Sequence, residues 1–205
     1  MRTDYFAGEL LESHVAADPI SQFARWFADA EQAKVPEVNA MTLATASADG
    51  VPSARIVLLK DFSEAGFTFF TNYDSHKGHD LTANPRAALV FFWQAMERQV
   101  RIEGSVQRVS REVSKAYFDS RPRASRIAAS LSQQSEVVPL RKVLEDEFAR
   151  LDQQLGHAVP LPDSWGGYCL SPTQVEFWQG RRSRLHDRLR YRREGSAWIL
   201  ERLSP

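Results

Sequence analysis

The chain has 205 residues, of which 43% are hydrophobic and 25% charged, and its 26 basic and 26 acidic residues leave no net charge at pH 7. This composition predicts a soluble globular domain and excludes disordered, collagen-like and coiled-coil proteins. Zero net charge argues against binding to nucleic acid or membranes through bulk charge. The longest apolar run, Ala87–Trp93, is too short to cross a bilayer.

The N-terminal segment carries no sustained apolar stretch, so residues 1–17 are expected to form a flexible arm rather than a secretory signal, and the expected location is cytoplasmic. Asp18 and Pro19 are typical of a helix start, and apolar residues recur after them at helical spacing. The sequence therefore predicts a helix over 18–34 at the beginning of a single domain over 18–205.

From Asn39 the hydrophobic period becomes that of β-strands, and turn signals such as Asp49-Gly50 indicate antiparallel hairpins. The predicted fold is mainly β (α+β), a small antiparallel β-barrel with peripheral helices. Helices are predicted at about 76–83, 110–119, 122–131 and 139–155. Strands are predicted at 41–45, 53–60, 67–71, 87–93, 99–109, 166–170, 174–179, 184–192 and 196–202.

The common sequence signatures of dinucleotide, nucleoside-triphosphate, zinc-protease and serine-hydrolase sites are absent from the chain. His76 and His79 are three residues apart without an obvious third ligand, so no metal site is predicted. The single cysteine, Cys169, lies in a predicted strand, which favours a buried and inert thiol over a nucleophile.

Basic and hydroxyl groups are concentrated instead at places where proteins bind anions. Over 71–78 a predicted strand gives way to a helix, with Asp74 or Ser75 as the N-cap and Lys77 in the first turn. Free backbone N–H groups, a hydroxyl and an ammonium form a phosphate cradle at such a helix start. The alternative is an ordinary helix cap with a solvated lysine.

A second set, Tyr117, Arg121 and Ser125, recurs every four residues, so these side chains share a face if the two short helices around Pro122 are nearly continuous. A phenol, a guanidinium and a hydroxyl together are typical of phosphate binding. The alternative is an exposed basic junction between helices.

Arg55 and Lys60 bracket four aliphatic residues in the predicted strand 53–60. Strict alternation places them on opposite faces, where they serve different anions, or a single anion if the strand bends. The alternative is a pair of solvated cations at the barrel edge.

From Arg182 to Arg192 every even position is basic, while Leu185, Leu189 and Tyr191 occupy odd positions, which is typical of a strand with one face on the core. Basic groups crowded along one face repel one another unless an anion or an acidic neighbour lies against them. A ligand site is favoured here over a solvated face.

Taken together, these segments resemble the pyridoxine (pyridoxamine) 5′-phosphate oxidase family, in family order from about Asp18 to the C-terminus. The resemblance implies an FMN-binding split barrel that works as a homodimer, with two sites at the subunit interface. The matching pieces are Ser53–Lys60, Phe69–Gly78, Glu97–Gly104, Tyr117–Arg123, Gln134–Ser135, Trp165–Tyr168, Glu176–Gly180, Arg184–Arg188 and Glu201–Pro205.

The resemblance also implies roles for individual residues. The chain departs from the family at His76, where the family often has Arg, so this cofactor phosphate contact of the family stays open here, and a contact made by histidine would depend on pH. Arg184 and His186 are the expected catalytic residues, acting as orienting and electrostatic groups. The expected FMN-binding residues are Arg55, Ile56, Val57, Leu58, Leu59, Lys60, Phe70, Thr71, Ser75, His76, Lys77, Gln99, Gln134, Ser135, Trp178 and Arg188. The expected substrate-binding residues are Lys60, Tyr117, Arg121, Ser125, Arg184, Leu185 and His186.

The implied reaction is FMN-dependent oxidation of pyridoxamine 5′-phosphate and pyridoxine 5′-phosphate by O2. It gives pyridoxal 5′-phosphate and hydrogen peroxide, with ammonia from the amine, in vitamin B6 biosynthesis and salvage. Two alternatives stay open at this point. One is a related split-barrel flavin oxidase acting on another ring, such as a phenazine precursor, and the other is a non-catalytic binder of flavin or pyridoxal phosphate.

Overall fold

The computed structural model describes residues 8–156 and 158–205. Its first helix, α1 (Pro19–Gln32), begins where the sequence predicts, because the Asp18 carboxylate accepts the Ser21 N–H at 2.8 Å and Pro19 occupies the first turn. The helix buries Phe23 and Trp26 against the sheet. No helix within the described ranges is long and apolar enough to cross a bilayer.

Nine strands of the described residues form one antiparallel sheet in the order β2-β1-β5-β6-β7-β4-β3, with β8 paired to β7 and β9 to β8. They are β1 (Ala40–Ala46), β2 (Pro52–Leu58), β3 (Asp61–Ser63), β4 (Gly66–Asn72), β5 (Arg86–Trp93), β6 (Arg98–Arg108), β7 (Trp165–Gln179), β8 (Asp187–Glu194) and β9 (Ala197–Arg202).

The long strand β7 is the place where the sheet divides. One edge of β7 pairs with β6, whereas its other edge is shared, with β4 opposite residues 165–170 and β8 opposite residues 174–179. The curled antiparallel sheet with peripheral helices confirms the predicted split-barrel fold.

The main core fills the concave side of this sheet. Phe23 is fully buried there, with its ring centroid 4.9 Å from Phe62, 5.0 Å from Phe67 and 5.1 Å from Phe91. Phe62 and Phe67 belong to β3 and β4, whereas Phe91 belongs to β5, so Phe23 of α1 joins the two sides of the sheet. Burial of each such ring stabilises the fold by roughly 1.5–3 kcal/mol.

The remaining helices agree with the predictions to within two residues at each end. Helices α3 to α5 cover the ends of β4 and β7 around a smaller core that contains Phe118, Ile127 and Trp165. The helix bounds are α2 (His76–Ala83), α3 (Arg111–Ser120), α4 (Arg123–Leu131) and α5 (Arg141–Gln154).

Four strand predictions need correction. The strand predicted over 53–60 ends at Leu58, and those predicted over 166–170 and 174–179 are the single strand β7. The strand predicted over 184–192 starts only at Asp187. Before it, Ser183 and Arg184 have φ angles of 58° and 61°, which a β-strand cannot contain.

The described part of the predicted arm, residues 8–17, lies against the sheet. Leu10 is buried in the main core, and the Tyr191 hydroxyl donates a hydrogen bond to the Ala16 carbonyl at 2.6 Å. Residues 1–7 lie outside the described residues, so the prediction of a flexible arm is not tested for them.

Candidate active site

A cavity of about 1020 Å³ opens between β2, the end of β4, the start of α2 and the α3–α4 junction. It brings together most residues that the sequence singled out. The predicted site residues that line it are Arg55, Ile56, Val57, Leu58, Lys60, Phe70, Thr71, His76, Lys77, Tyr117, Arg121, Ser125, Gln134 and Ser135.

Lys77 supplies a buried positive charge to this cavity. Its side chain is only 7% exposed, and its Nζ donates to Thr71 Oγ1 at 3.1 Å, Ser75 Oγ at 3.1 Å and Gln134 Oε1 at 2.6 Å. Burial, followed by the charge of Arg55, lowers the pKa of Lys77 to about 8. A buried ammonium whose partners are all neutral is suited to an anionic ligand.

Arg55 is held in place from β1 and β2. Its Nη1 donates to Thr45 Oγ1 at 2.7 Å and its Nη2 to Ser53 Oγ at 2.5 Å. The buried Asp80 accepts hydrogen bonds from both hydroxyls and lies 4.0 Å from the guanidinium. Sequence reasoning missed Thr45 and Asp80, which only the fold brings to Arg55, and it missed the role of Ser53, two residues before Arg55 on β2.

The start of α2 completes this cationic cluster. Ser75 is the N-cap, as one of the two sequence options predicts, and its Oγ is bonded by the Gly78 N–H. The backbone N–H of His76 donates to Ser135 Oγ at 3.2 Å, and the His76 imidazole is 65% exposed, with Nε2 3.6 Å from an Asp80 oxygen. Thr71, Lys77 and Ser135 thus line the cavity, whereas the Ser75 hydroxyl is buried behind them.

A second cationic cluster lies at the α3–α4 junction. Helix α3 ends at Ser120 and Arg121 is extended, so the two helices are not continuous, yet Tyr117, Arg121 and Ser125 still reach the same cavity. The Nη1 of Arg121 is buried and has no hydrogen-bond partner within the described chain. Burial lowers the pKa of Arg121. An unpaired buried donor of this kind calls for an acceptor from a ligand.

Stacked aromatic rings form the wall beside this second cluster. The Phe70 centroid lies 4.1 Å from Tyr117 and 5.5 Å from Trp165, with nearly parallel planes. Gly167 permits this stack, because a Cβ there would lie 2.8 Å from the Phe70 ring. Trp165 also lines the cavity. The sequence analysis recognised the segment Trp165–Tyr168 but did not assign Trp165 to the site.

Arg55 and Lys60, which strict alternation over 53–60 places on opposite faces, both line this cavity. The strand β2 ends at Leu58, after which the Leu59 N–H bonds to the Asn39 carbonyl and the Lys60 N–H to the Thr68 carbonyl. This bend also turns the Leu59 side chain into the main core, where it is 4% exposed.

Of the predicted site residues outside the cavity lining, Leu59 and Ser75 are buried, and three others lie on the convex face of the sheet. Gln99, Trp178 and Arg188 are directly opposite one another on β6, β7 and β8, and we call them the β6–β8 row. Arg188 donates from Nε to Glu176 at 2.8 Å and from Nη1 to the Ser204 carbonyl at 2.8 Å.

Arg184, Leu185 and His186 precede β8 in the segment 181–186, which we call the 181–186 loop. Leu185 is 70% exposed, and the His186 ring lies 4.8 Å from that of Trp178. Within one chain, the predicted site residues therefore occupy two separate places: the cavity, and the β6–β8 row with the 181–186 loop.

The basic stripe beyond this loop has acidic neighbours. Arg190 and Arg192 both bond to Glu201 on β9, at 2.6 and 3.4 Å. These two arginines therefore need no ligand to offset their charge.

The single cysteine, Cys169, is not a candidate nucleophile in the structure. Burial raises the pKa of its thiol, which makes it a poor nucleophile.

Comparison with known proteins assigns the chain to a family. A family model described as pyridoxamine 5′-phosphate oxidase matches residues 27–155. The chain belongs to the pyridoxamine 5′-phosphate oxidase family. A second model, described as the pyridoxine 5′-phosphate oxidase C-terminal dimerisation region, matches residues 165–205.

Individual members of the family cover the whole chain. A pyridoxine/pyridoxamine 5′-phosphate oxidase from Bordetella avium is 60% identical over 206 residues, covering 100% of this chain and 98% of the relative. PhzG from Burkholderia lata, solved with tetrahydrophenazine-1-carboxylic acid, is 32% identical with a TM-score of 0.92, covering 98% of this chain and all of PhzG.

A related FMN-binding protein from Nostoc punctiforme, 17% identical over 93% of this chain and 100% of its own, shares the fold with a TM-score of 0.75. Membership of the pyridoxamine 5′-phosphate oxidase family confirms the predicted family and the predicted oxidoreductase. The roles of the individual site residues stay predictions.

Proposed function

We propose that the protein oxidises pyridoxamine 5′-phosphate and pyridoxine 5′-phosphate to pyridoxal 5′-phosphate, in vitamin B6 biosynthesis and salvage. The observation that carries this proposal is the presence of two cationic clusters in one cavity, Arg55 with Lys77 and Lys60 with Arg121. A phosphorylated substrate and a phosphorylated cofactor require two such clusters. The names of the relatives support the same substrates. A cytoplasmic location stays a prediction.

FMN fits the first cluster. The ammonium of Lys77 has only neutral partners, and Arg55, fixed next to it by hydroxyl groups, has Asp80 at 4.0 Å. A phosphate dianion would therefore offset the buried charge of Lys77 and add a second partner for Arg55. Ser135 and the N-terminus of α2 add donors on the same wall. FMN held there would supply the two-electron oxidation at the C4′ carbon of the substrate, with O2 as the final electron acceptor and hydrogen peroxide as its reduced product.

The second cluster is assigned to the substrate phosphate. Arg121 offers its unpaired Nη1, and Lys60 lies with its Nζ 5.7 Å from the centroid of the Tyr117 ring. With the Ser125 hydroxyl, these groups hold the phosphate and so fix the position of the substrate ring. For the amine, water completes the balance: pyridoxamine 5′-phosphate, O2 and water give pyridoxal 5′-phosphate, ammonia and hydrogen peroxide.

The second part of each site comes from a second copy of the chain. Residues of the β6–β8 row and the 181–186 loop do not line the cavity of their own chain. Trp178, Arg188 and the 181–186 loop lie within the region that matches the dimerisation model. The same convex face carries Phe92, 54% exposed and directly opposite Gln99, and Ile56, 66% exposed. Burial of these apolar side chains in a homodimer would bring Arg188, Arg184 and His186 to the partner's cavity.

The test is anaerobic addition of pyridoxamine 5′-phosphate to the purified, FMN-loaded protein. We expect loss of the yellow flavin absorbance, followed on admission of O2 by its return with one pyridoxal 5′-phosphate and one peroxide per flavin reduced. Stoichiometric binding of the substrate without bleaching would contradict the proposal and indicate a non-catalytic binder.

A second candidate function is oxidation of a phenazine precursor, which the likeness to PhzG favours. Bleaching by a dihydro- or tetrahydrophenazine carboxylate, with none by pyridoxamine 5′-phosphate, would establish that function instead. The buried, unpaired Arg121 Nη1 argues for a phosphorylated substrate.

A further inference from the structure

Asp187 is the first residue of β8 and follows His186 directly. Its carboxylate is 16% exposed and has three partners from separate parts of the chain. Oδ2 accepts the Leu10 N–H at 3.1 Å, Oδ1 lies 2.8 Å from Arg202 Nη1, and Oδ2 lies 3.6 Å from Arg181 Nη1. One side chain therefore connects the N-terminal segment, β9 and the loop before β8.

The N-terminal partners form a short strap over this point, residues 8–12. Arg202 binds both oxygens of Glu12, at 2.7 and 2.8 Å, and its Nη2 also donates to the Leu10 carbonyl at 2.9 Å. Arg181 donates to the Gly8 carbonyl at 3.3 Å. The hydrogen bond from Arg202 lowers the pKa of Glu12 to about 2, so this side chain is charged throughout the neutral range.

The 181–186 loop needs such an anchor because of its backbone conformation. Ser183 and Arg184 are consecutive non-glycine residues in the left-handed region, which L-residues adopt only when surrounding contacts compensate. Inside the loop, the Arg181 N–H donates to His186 Nδ1 at 3.0 Å. Asp187 then holds both ends, through Arg181 at one and its own backbone at the other.

We propose that Asp187 is a positioning residue that fixes the 181–186 loop to the strap and to Arg202, and thereby places Arg184 and His186 against the substrate ring. This inference rests on the proposed function, which assigns those two residues to the substrate. Loss of the carboxylate would leave Arg181 and Arg202 without their shared counter-charge, and the left-handed turn would relax.

The test is Asp187→Asn in the full-length, FMN-loaded protein, since asparagine keeps the size and one acceptor oxygen but not the charge. We expect KM for pyridoxamine 5′-phosphate to rise about tenfold or more while kcat changes less than about threefold, because binding geometry is lost before chemistry. Backbone hydrogen exchange over residues 180–187 should become faster. Asp187→Glu should recover part of both effects.

Glu194→Gln is the matched control, because it removes a carboxylate from the other end of β8, where Glu194 pairs with Arg192 at 3.5 Å. It should leave KM and loop exchange unchanged. Glu12→Gln is a second variant that weakens the strap without touching Asp187, and it should change both quantities in the same direction by a smaller factor. Glu12→Gln decides the question if Asp187→Asn does not fold.

Wild-type KM and wild-type loop exchange in Asp187→Asn would overturn the inference, as would faster exchange without any change in KM. Failure of the proposed function has a different signature. In that case the wild-type protein itself binds FMN but is not bleached by pyridoxamine 5′-phosphate.

Discussion

The cavity and the convex face of β8 both carry several cations, but the charges of these cations are balanced in different ways. In the cavity, Lys77 has only neutral partners and Arg121 has an unpaired Nη1. On the convex face, Arg188 is bonded to Glu176 and Arg190 to Glu201. Lys77 and Arg121, which have no carboxylate partner among the described residues, are available to ligand phosphates, whereas Arg188 and Arg190 are held by carboxylates of the sheet.

The largest expected effect is that of Arg121→Ala on the cavity side. We expect KM for pyridoxamine 5′-phosphate to rise by about 100-fold, as lost charge-assisted hydrogen bonds cost about 3 kcal/mol, while FMN affinity stays within about twofold. Arg123→Ala is the matched control, since that neighbouring guanidinium bonds to Asp152 and the Leu155 carbonyl instead. Steady-state kinetics and FMN titration give the answer, and equal losses of substrate and FMN binding would contradict the assignment.

Arg184→Ala tests the other side of the comparison. The variant should lose about tenfold or more in kcat/KM while retaining FMN, because the side chain is assigned to the substrate ring. Loss of FMN in proportion to turnover would show that Arg184 belongs to the cofactor site.

Mixing this variant with Arg121→Ala tests whether the two regions meet across a dimer. If they do, half of the re-associated dimers are mixed, and each has one intact site and one doubly altered site, so activity should recover to about a quarter of wild type. No recovery after verified subunit exchange would place both regions in a site of one chain.

A smaller effect is expected from pH on FMN affinity. The pKa of Lys77 is lowered to about 8 in the FMN-free protein, and a bound phosphate favours the charged form. Above pH 8, FMN binding must therefore return a proton to Lys77, and the Kd of FMN should rise by up to about tenfold per pH unit. Below pH 8, Lys77 is already protonated and adds nothing to the pH dependence of the Kd. Lys77→Met should bind FMN weakly with a flat profile in fluorescence titrations from pH 7 to 9.5.

The same Lys77 affects stability in the opposite sense. Between pH 8 and the ordinary lysine pKa of 10.5, the unfolded chain binds more protons than the folded one, so this group makes the FMN-free protein more stable as pH rises. Denaturant unfolding of the FMN-free wild type and of Lys77→Met measures the difference.

The smallest expected effect is that of Glu176→Gln on the convex face. Arg188 loses its charged partner at Nε but keeps the Ser204 carbonyl, so FMN affinity should fall only about three- to fivefold. Glu103→Gln, which removes a carboxylate from Arg101 alone, is the control. A wild-type Kd for Glu176→Gln would indicate that Arg188 does not need this support.

Sequence periodicity and capping residues were sufficient for most of the fold. They placed α1 at Asp18 and α2 after Ser75, because those signals are local. They failed before β8, since Ser183 and Arg184 are left-handed without glycine, and after Leu58, where hydrogen bonds to distant strands redirect the chain.

The candidate site divides in the same way. Its cations were recognisable from local patterns and the family resemblance, and Arg55, Lys77 and Arg121 all reach the cavity. The groups that hold Arg55 were not predictable, because Asp80 is 25 residues away on another element and carries no local signature. Local patterns identify the ligand-binding side chains, whereas their supports depend on tertiary contacts.

The shared edge of β7 has a consequence for the order of folding. Until residues 165–179 have been synthesised, β4 and β6 each lack a partner along one edge. Phe70 and Thr71 on β4 therefore cannot reach their final positions while the ribosome is still producing the first three-quarters of the chain. Both exposed edges could pair with other nascent chains in that interval. Assembly of the ligand cavity is consequently a late event, and refolding should be slow because the contacts that close the sheet are distant in sequence.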